Sequence, residues 1–199
     1  PLRTQLTYFT ETFRSGIEFG ATYVLFNDLK TALQKNKKKD IEKAISSLKE
    51  AYADVHNKDY DHEVDRKVAK VLIPLYAKSV SADALPAFYQ TIQTKYKGNY
   101  DAYIDALYDN SIFSNDKNFN AFISNPTVKA IENDLAVQYS SSKNELSKKL
   151  NEKYDAVSGN IDLLHKTYVR GLCEMYAPTP KAPDANFTIR LTYGNVKSY

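Results

Sequence analysis

Ten consecutive residues, His56 to Asp65, carry two imidazoles and four carboxylates: His56, Asp59, Asp61, His62, Glu63 and Asp65. Those side chains could hold a divalent cation or move a proton. The spacing argues against a metal. Arg66 stands where the helical H-E-x-x-H pattern would need its second histidine after His62-Glu63, so only one imidazole would face the ion. A polar turn between helices is the expected role. Cys173 and His165 suggest a nucleophile and its base, but eight residues of helix separate them by about 12 Å along the axis. A working dyad needs hydrogen-bond reach, about 3 Å, so Cys173 is expected to be a buried, inert side chain. Glycine falls only at 16, 20, 98, 159, 171 and 194, which excludes a phosphate-cradling glycine loop, and no G-x-S-x-G elbow is present. Asn186-Phe187-Thr188 fits a glycosylation triplet, common by chance and here at the start of a strand pattern. No catalytic, cofactor-binding or metal-binding residue is expected in the chain.

The elements that would position those residues are mostly helical. Among 199 residues there are six Gly and seven Pro, 16 Tyr and nine Phe, and no Trp, which suits long helices rather than a loop-rich β architecture. Hydrophobic residues make up 43% and charged ones 26%, ordinary for a globular protein. The net charge is only +3, and the one dense basic run, Lys35 to Lys39, reads as a solvated turn. Nucleic-acid binding is not expected, because it needs a concentrated basic face. No apolar run reaches the 18 residues of a membrane span. The single cysteine excludes an internal disulfide framework.

Leu6, Phe9, Phe13, Ile17, Val24 and Leu33 recur at helical steps and predict one long helix over 3–34. Gly16 and Gly20 would let another helix come close. Asp40 is expected to cap a helix bearing Ile41, Ala44, Ile45, Leu48, Tyr52 and Val55, which breaks at Asn57-Lys58-Asp59. Asp61 would cap the next, with Val64, Val68, Val71, Leu72 and Leu75 inward and Pro74 kinking it. Ser81 would start a segment closed by Gly98, Asn99 would open another, and further starts are expected at Ser114 and Asn125-Pro126. Tyr100, Tyr103 and Tyr108 recur at helical spacing and are expected in the core or at its rim, or lining a peptide groove. The strongest pattern runs Leu146, Leu150, Tyr154, Val157, Ile161, Leu164, Tyr168, Leu172, Met175, a helix over 143–176 about 50 Å long. No internal repeat of tetratricopeptide length or signature occurs. An all-α bundle with two long bracketing helices is the predicted architecture.

After Met175 the pattern changes. Ala177-Pro178-Thr179-Pro180-Lys181-Ala182-Pro183 reads as an extended linker. Phe187, Ile189, Leu191 and Tyr193 then alternate with Thr188, Arg190 and Thr192, a strand ending at Gly194-Asn195. One strand has no partners for its backbone groups. Together with a first residue, Pro1, that is not Met, this suggests a piece of a larger protein whose sheet lies elsewhere.

The tail P-D-A-N-F-T-I-R-L-T-Y-G, Pro183 to Gly194, resembles a segment of serine-peptidase family 46, the bacterial dipeptidyl-peptidases of types 7 and 11. Arg14 to Glu18, Asp61 to Val68, Asn99 to Phe113, Asn125 to Thr127 and Tyr168 to Met175 resemble the same family in the same order. The resemblance implies a chymotrypsin-like double β-barrel with a Ser-His-Asp triad, and a helical domain inserted into it that roofs the active-site cleft. Residues 1–177 would be that helical cap, 178–183 a linker, and 184–199 the first strand and turn of the returning barrel. The family's Ser sits in a G-N-S-G segment and its His and Asp lie upstream of the insert; none has a counterpart here. The implied parent is a secreted, cell-surface or periplasmic serine dipeptidyl-peptidase that takes peptides with free N-termini and needs no cofactor. A homodimeric parent is among the expectations, and this segment alone would be inactive. A free-standing helical module that binds a protein or peptide is the competing expectation.

Overall fold

The computed structural model describes residues 2–15, 17–56, 59–177, 194–195 and 197. The linker and strand expected at 178–193 lie outside the described residues. Among the described residues the chain is helical: α1 (Leu2–Ser15), a 3-10 helix (Glu18–Val24), α2 (Leu25–Gln34), α3 (Lys38–Val55) and α4 (His62–Ser79). A short 3-10 turn (Ala82–Ala84) follows, then α5 (Phe88–Lys95), α6 (Tyr100–Asn110), α7 (Asp116–Ser124), α8 (Val128–Asn133) and α9 (Leu135–Met175). The chain divides into two compact units, residues 1–154 and 155–199.

The long helix expected over 3–34 is three pieces. Ile17 takes left-handed backbone angles, φ 57° and ψ 79°, which a β-branched residue adopts only at a cost of about 1–2 kcal/mol. Two things hold it there. Its side chain is buried, and the next N–H, of Glu18, is bound by the carboxylate of Asp65. The break shifts the helical phase, so Phe26, Leu29 and Ala32 turn inward while Val24 is exposed. At Gly20 a Cβ would sit 3.4 Å from both the Tyr139 Cε1 and Ile17 Cγ2 side-chain atoms, at the edge of ordinary van der Waals contact.

Caps explain most of the other boundaries. Asp61 accepts the N–H groups of Glu63 and Val64, both at 3.0 Å, and Asn99 accepts that of Ala102 at 3.0 Å. α3 starts earlier than expected, at Lys38, which places Asp40 in its first turn. Ser81 makes no capping bond. Asn115, not Ser114, caps α7, and Thr127 caps α8 one residue beyond Pro126. Gly98, at φ 78°, donates to the Ile92 carbonyl at 3.0 Å and closes α5. Asn36, also left-handed, ends α2 in the same manner, with Lys37 N–H donating to Ala32 O at 3.2 Å. Lys35 to Lys39 are all exposed.

The core of the first unit is aromatic. Phe13 meets Tyr76 at 4.8 Å, Phe88 meets Tyr89 at 4.3 Å, and Tyr52 stacks on Phe119 at 4.1 Å between ring centres. Phe26, Leu29, Leu48, Ile92, Ile104, Leu107 and Phe113 fill the spaces between them. A buried tyrosine usually finds a partner for its hydroxyl. Tyr76 donates to Ala84 O at 2.8 Å and Tyr89 to Ile73 O at 2.7 Å. Those tyrosines also decide which face of α4 turns inward. Asp65, Ala69, Ile73 and Tyr76 are buried, while Val64, Val71 and Leu75 are exposed. Of the expected stripe, Val64, Val71 and Leu75 therefore face outward and Val68 and Leu72 are half-buried, while the anchored Asp65 and the hydrogen-bonded Tyr76 take the inward face.

α9 begins eight residues before the expected 143. Leu146 and Leu150 are buried, but Val157, Ile161, Leu164, Tyr168 and Met175 are exposed. The second unit is the distal part of this helix, and its side chains from Asp155 to Met175 are exposed apart from a half-buried Ser158 and Leu172.

Candidate functional site

The acidic stretch at the start of α4 builds a polar node. Asp65 is 5% exposed, and its two oxygens accept the Glu18 N–H at 3.2 and 3.0 Å, with the Tyr60 hydroxyl donating at 3.4 Å. Burial pushes the Asp65 pKa up, while hydrogen bonds from Tyr108, the Glu18 N–H and Tyr60 pull it back. Burial and the neighbouring Asp65 drive the Tyr60 and Tyr108 hydroxyls well above the usual phenol range. Arg66 pairs with Asp109 and with Asp105 at 3.5 Å, and it lies 5.6 Å over the Tyr108 ring. Lys70 shares Asp105 at 2.7 Å.

The His62 imidazole is committed to these neighbours, whereas His56 Nε2 has no hydrogen-bond partner among the described residues. His62 Nε2 lies 3.3 Å from Arg66 and its Nδ1 3.4 Å from the Tyr60 hydroxyl. Burial, then the Arg66 charge, lower its pKa. His56 stacks on Tyr52 at 4.1 Å, with Nδ1 3.1 Å from the Tyr52 carbonyl. His62 so placed faces a phenol and a guanidinium, and among the described residues no serine, threonine or cysteine hydroxyl or thiol is hydrogen-bonded to either ring. Among the described residues no group of three His, Cys, Asp or Glu side chains could hold a metal ion. The node fixes the left-handed break after α1 and ties it to α4 and α6.

His165 and Cys173 both lie on unbroken α9, so the helix keeps them about 12 Å apart. Cys173 is exposed rather than buried. The stripe that was to bury it has no cover among the described residues.

Asp134 is the polar residue that sequence reasoning missed. It caps α9, accepting from Ala136 and Val137 N–H, both at 2.9 Å, and from Ile112 N–H at 2.7 Å. Burial lifts its pKa to about 6 against the pull of those three bonds. Its local signal was readable: Asp134 directly precedes Leu135-Ala136-Val137. The bond to Ile112, 22 residues back, was not.

The tyrosines divide as core and rim. Tyr103 and Tyr108 are buried and Tyr100 is half-buried. Tyr100 and Tyr89 line a shallow groove of about 340 Å³ with Leu85 and Pro86. A second groove, of about 310 Å³, runs between α1 and α9 and is lined by Phe9, Thr10, Phe13, Lys143, Asn144 and Ser147.

The architecture is that of a helical domain with capped, aromatic-cored packing and without an assembled nucleophile and base among its described residues. The family model for peptidase S46 matches residues 1–199, and the chain belongs to that family. It is 64% identical over 200 residues to dipeptidyl-peptidase 7 of Phocaeicola vulgatus, a match covering 100% of this chain and 28% of that protein. It is 33% identical over 198 residues to the Asp/Glu-specific dipeptidyl-peptidase of Porphyromonas gingivalis, with 100% and 28% covered. The crystal structure of Porphyromonas endodontalis DPP11 in complex with the dipeptide Arg-Glu superposes with a TM-score of 0.78 at 25% identity, over 94% of this chain and 26% of that one. The chain thus spans about 28% of the length of the curated relatives it matches.

Proposed function

We propose that residues 1–177 are the helical cap of a serine dipeptidyl-peptidase that releases dipeptides from the free N-termini of oligopeptides. The single observation that carries this reading is the 64% identity to a dipeptidyl-peptidase across the whole chain. In this reading the catalytic Ser, His and Asp belong to a barrel elsewhere in the polypeptide, and 184–199 is the strand that re-enters it. The cap shapes the cleft sterically and closes over a bound peptide, so that longer N-terminal extensions are excluded. The exposed apolar side chains of α9 from Val157 to Met175 are then surface held in contact with the rest of the enzyme. The parent acts outside the cytoplasm, in the periplasm or at the cell surface, and its homodimeric state belongs to the same proposal.

Dipeptide release from a panel of N-terminally free fluorogenic peptides tests the reading. The comparison uses the full-length protein, the same protein lacking 1–177, and the 199-residue chain. Activity is expected only in the full-length protein, with dipeptide register lost on deletion. A full-length protein that cleaves no peptide overturns the assignment, and equal activity and register after deletion overturns the cap role.

A further inference from the structure

We propose that the groove between α1 and α9 seats the C-terminal residue of a short peptide, with Lys143 taking the carboxylate and Phe9 and Phe13 receiving the side chain. The proposal rests on the peptidase reading above. Its physical basis is a cation left without an anion. Lys143 is half-buried and makes no ion pair or hydrogen bond among the described residues. Burial lowers its pKa. The other half-buried lysines among the described residues have carboxylates: Lys30 meets Glu132 at 2.7 Å and Lys70 meets Asp105 at 2.7 Å. A partly desolvated ammonium without a counter-charge is costly unless a ligand supplies one.

The rest of the lining suits a carboxylate attached to an apolar body. Asn144, Ser147 and Thr10 bring an amide and two hydroxyls to the same groove, and no acidic side chain lines it among the described residues. Phe9 and Phe13, their rings 5.0 Å apart, form the apolar end. At about 310 Å³ the groove is at the small end of ligand sites. A C-terminal residue places both a carboxylate and a side chain on one carbon, and so fills both ends. The carboxylate of an internal Asp or Glu would reach Lys143 but leave the aromatic end uncovered.

Two tetrapeptides of one sequence, one ending in a free carboxylate and one in an amide, test this in the full-length protein. Lys143→Met is expected to raise KM for the acid about tenfold, the value of one charge-assisted hydrogen bond, with kcat unchanged and the amide unaffected. Lys143→Arg should restore part of the difference. Equal effects on acid and amide, or none on either, overturn the proposal. So does equal sensitivity of an amidated tetrapeptide bearing an internal Glu, which would assign the site to side-chain carboxylates. A binding measurement separates this from failure of the peptidase reading. In ¹³C-dimethyl-lysine NMR, an N-acetylated tripeptide acid should shift the Lys143 signal, identified by its loss in Lys143→Met. An unmoved signal overturns the groove proposal even in an active enzyme, and a full-length protein inactive on every peptide overturns the peptidase reading whether or not the signal moves.

Discussion

Asp134 is a carboxylate that folding takes out of water and then uses three times. It caps α9 through Ala136 and Val137 and holds the turn after α6 through the Ile112 N–H. Its pKa rises from 3.8 to about 6 because desolvation outweighs those bonds. The sign of the linkage follows. A folded pKa above the unfolded one favours the protonated native state, so the contribution is full below about pH 4 and is lost as pH rises through about 6. Two pKa units correspond to about 3 kcal/mol. Urea denaturation of the wild type and Asp134→Asn across pH 4 to 7.5 should show the wild type losing about that much relative to the variant. A constant difference across the range would mean that Asp134 titrates alike in both states. Asp65 is shifted the same way, again by burial. Single-residue roles were legible where the partner was local: Asp61 capping Glu63 and Val64, and Asn99 capping Ala102. They were hidden where it was distant, as for Asp65 with Glu18 N–H, 47 residues away. A sequence shows a carboxylate's neighbours in the chain, not the backbone donor that folding brings to it.

Helix ends depend on backbone angles, and Gly98 is the clearest case. Its φ of 78° lies where a side chain is strained, and a Cβ there would also meet Gln93 Oε1 at 3.2 Å. Gly98→Ala should therefore destabilise the fold by about 1 kcal/mol. Gln93→Ala should rescue little of that loss, because the side-chain amide can swing away while the backbone cannot. Full rescue in the double variant, measured by thermal or urea unfolding, would place the cost in the contact instead. This stop was legible because glycine marks it. The break at Ile17 was not, because isoleucine is among the residues least suited to left-handed angles and its apolar side chain continued the stripe from Phe9 and Phe13. α4 misled for a related reason. Periodicity counts aliphatic residues, and it gave no weight to an anchored Asp65 or to a Tyr76 whose hydroxyl finds the Ala84 carbonyl.

At the scale of the molecule, α9 carries one apolar repeat through two environments. Leu146 and Leu150 are 7% and 2% exposed, whereas Ile161, Leu164 and Tyr168 are 51%, 68% and 64% exposed. The repeat itself does not change at the transition, so periodicity could identify the helix but not the point at which its cover ends. A buried leucine cut to alanine costs about 2–5 kcal/mol, through lost transfer energy and the cavity left behind. An exposed one replaced by a polar residue changes stability by about 0.5 kcal/mol or less. In the 199-residue chain, Leu150→Ala should therefore lower unfolding stability by about 2–5 kcal/mol, while Leu164→Gln should leave it nearly unchanged. In the full-length protein the two should converge if the distal stripe is covered there, since Leu164→Gln would then bury an amide where a methyl pair had been. Urea denaturation of both variants in both lengths reads this directly. A Leu164→Gln variant that is neutral in both lengths would mean that the distal stripe meets water in the full-length protein as well, and that the helical domain is held in place by other surfaces, for which the outward-facing Val64, Val71 and Leu75 of α4 are the next candidates.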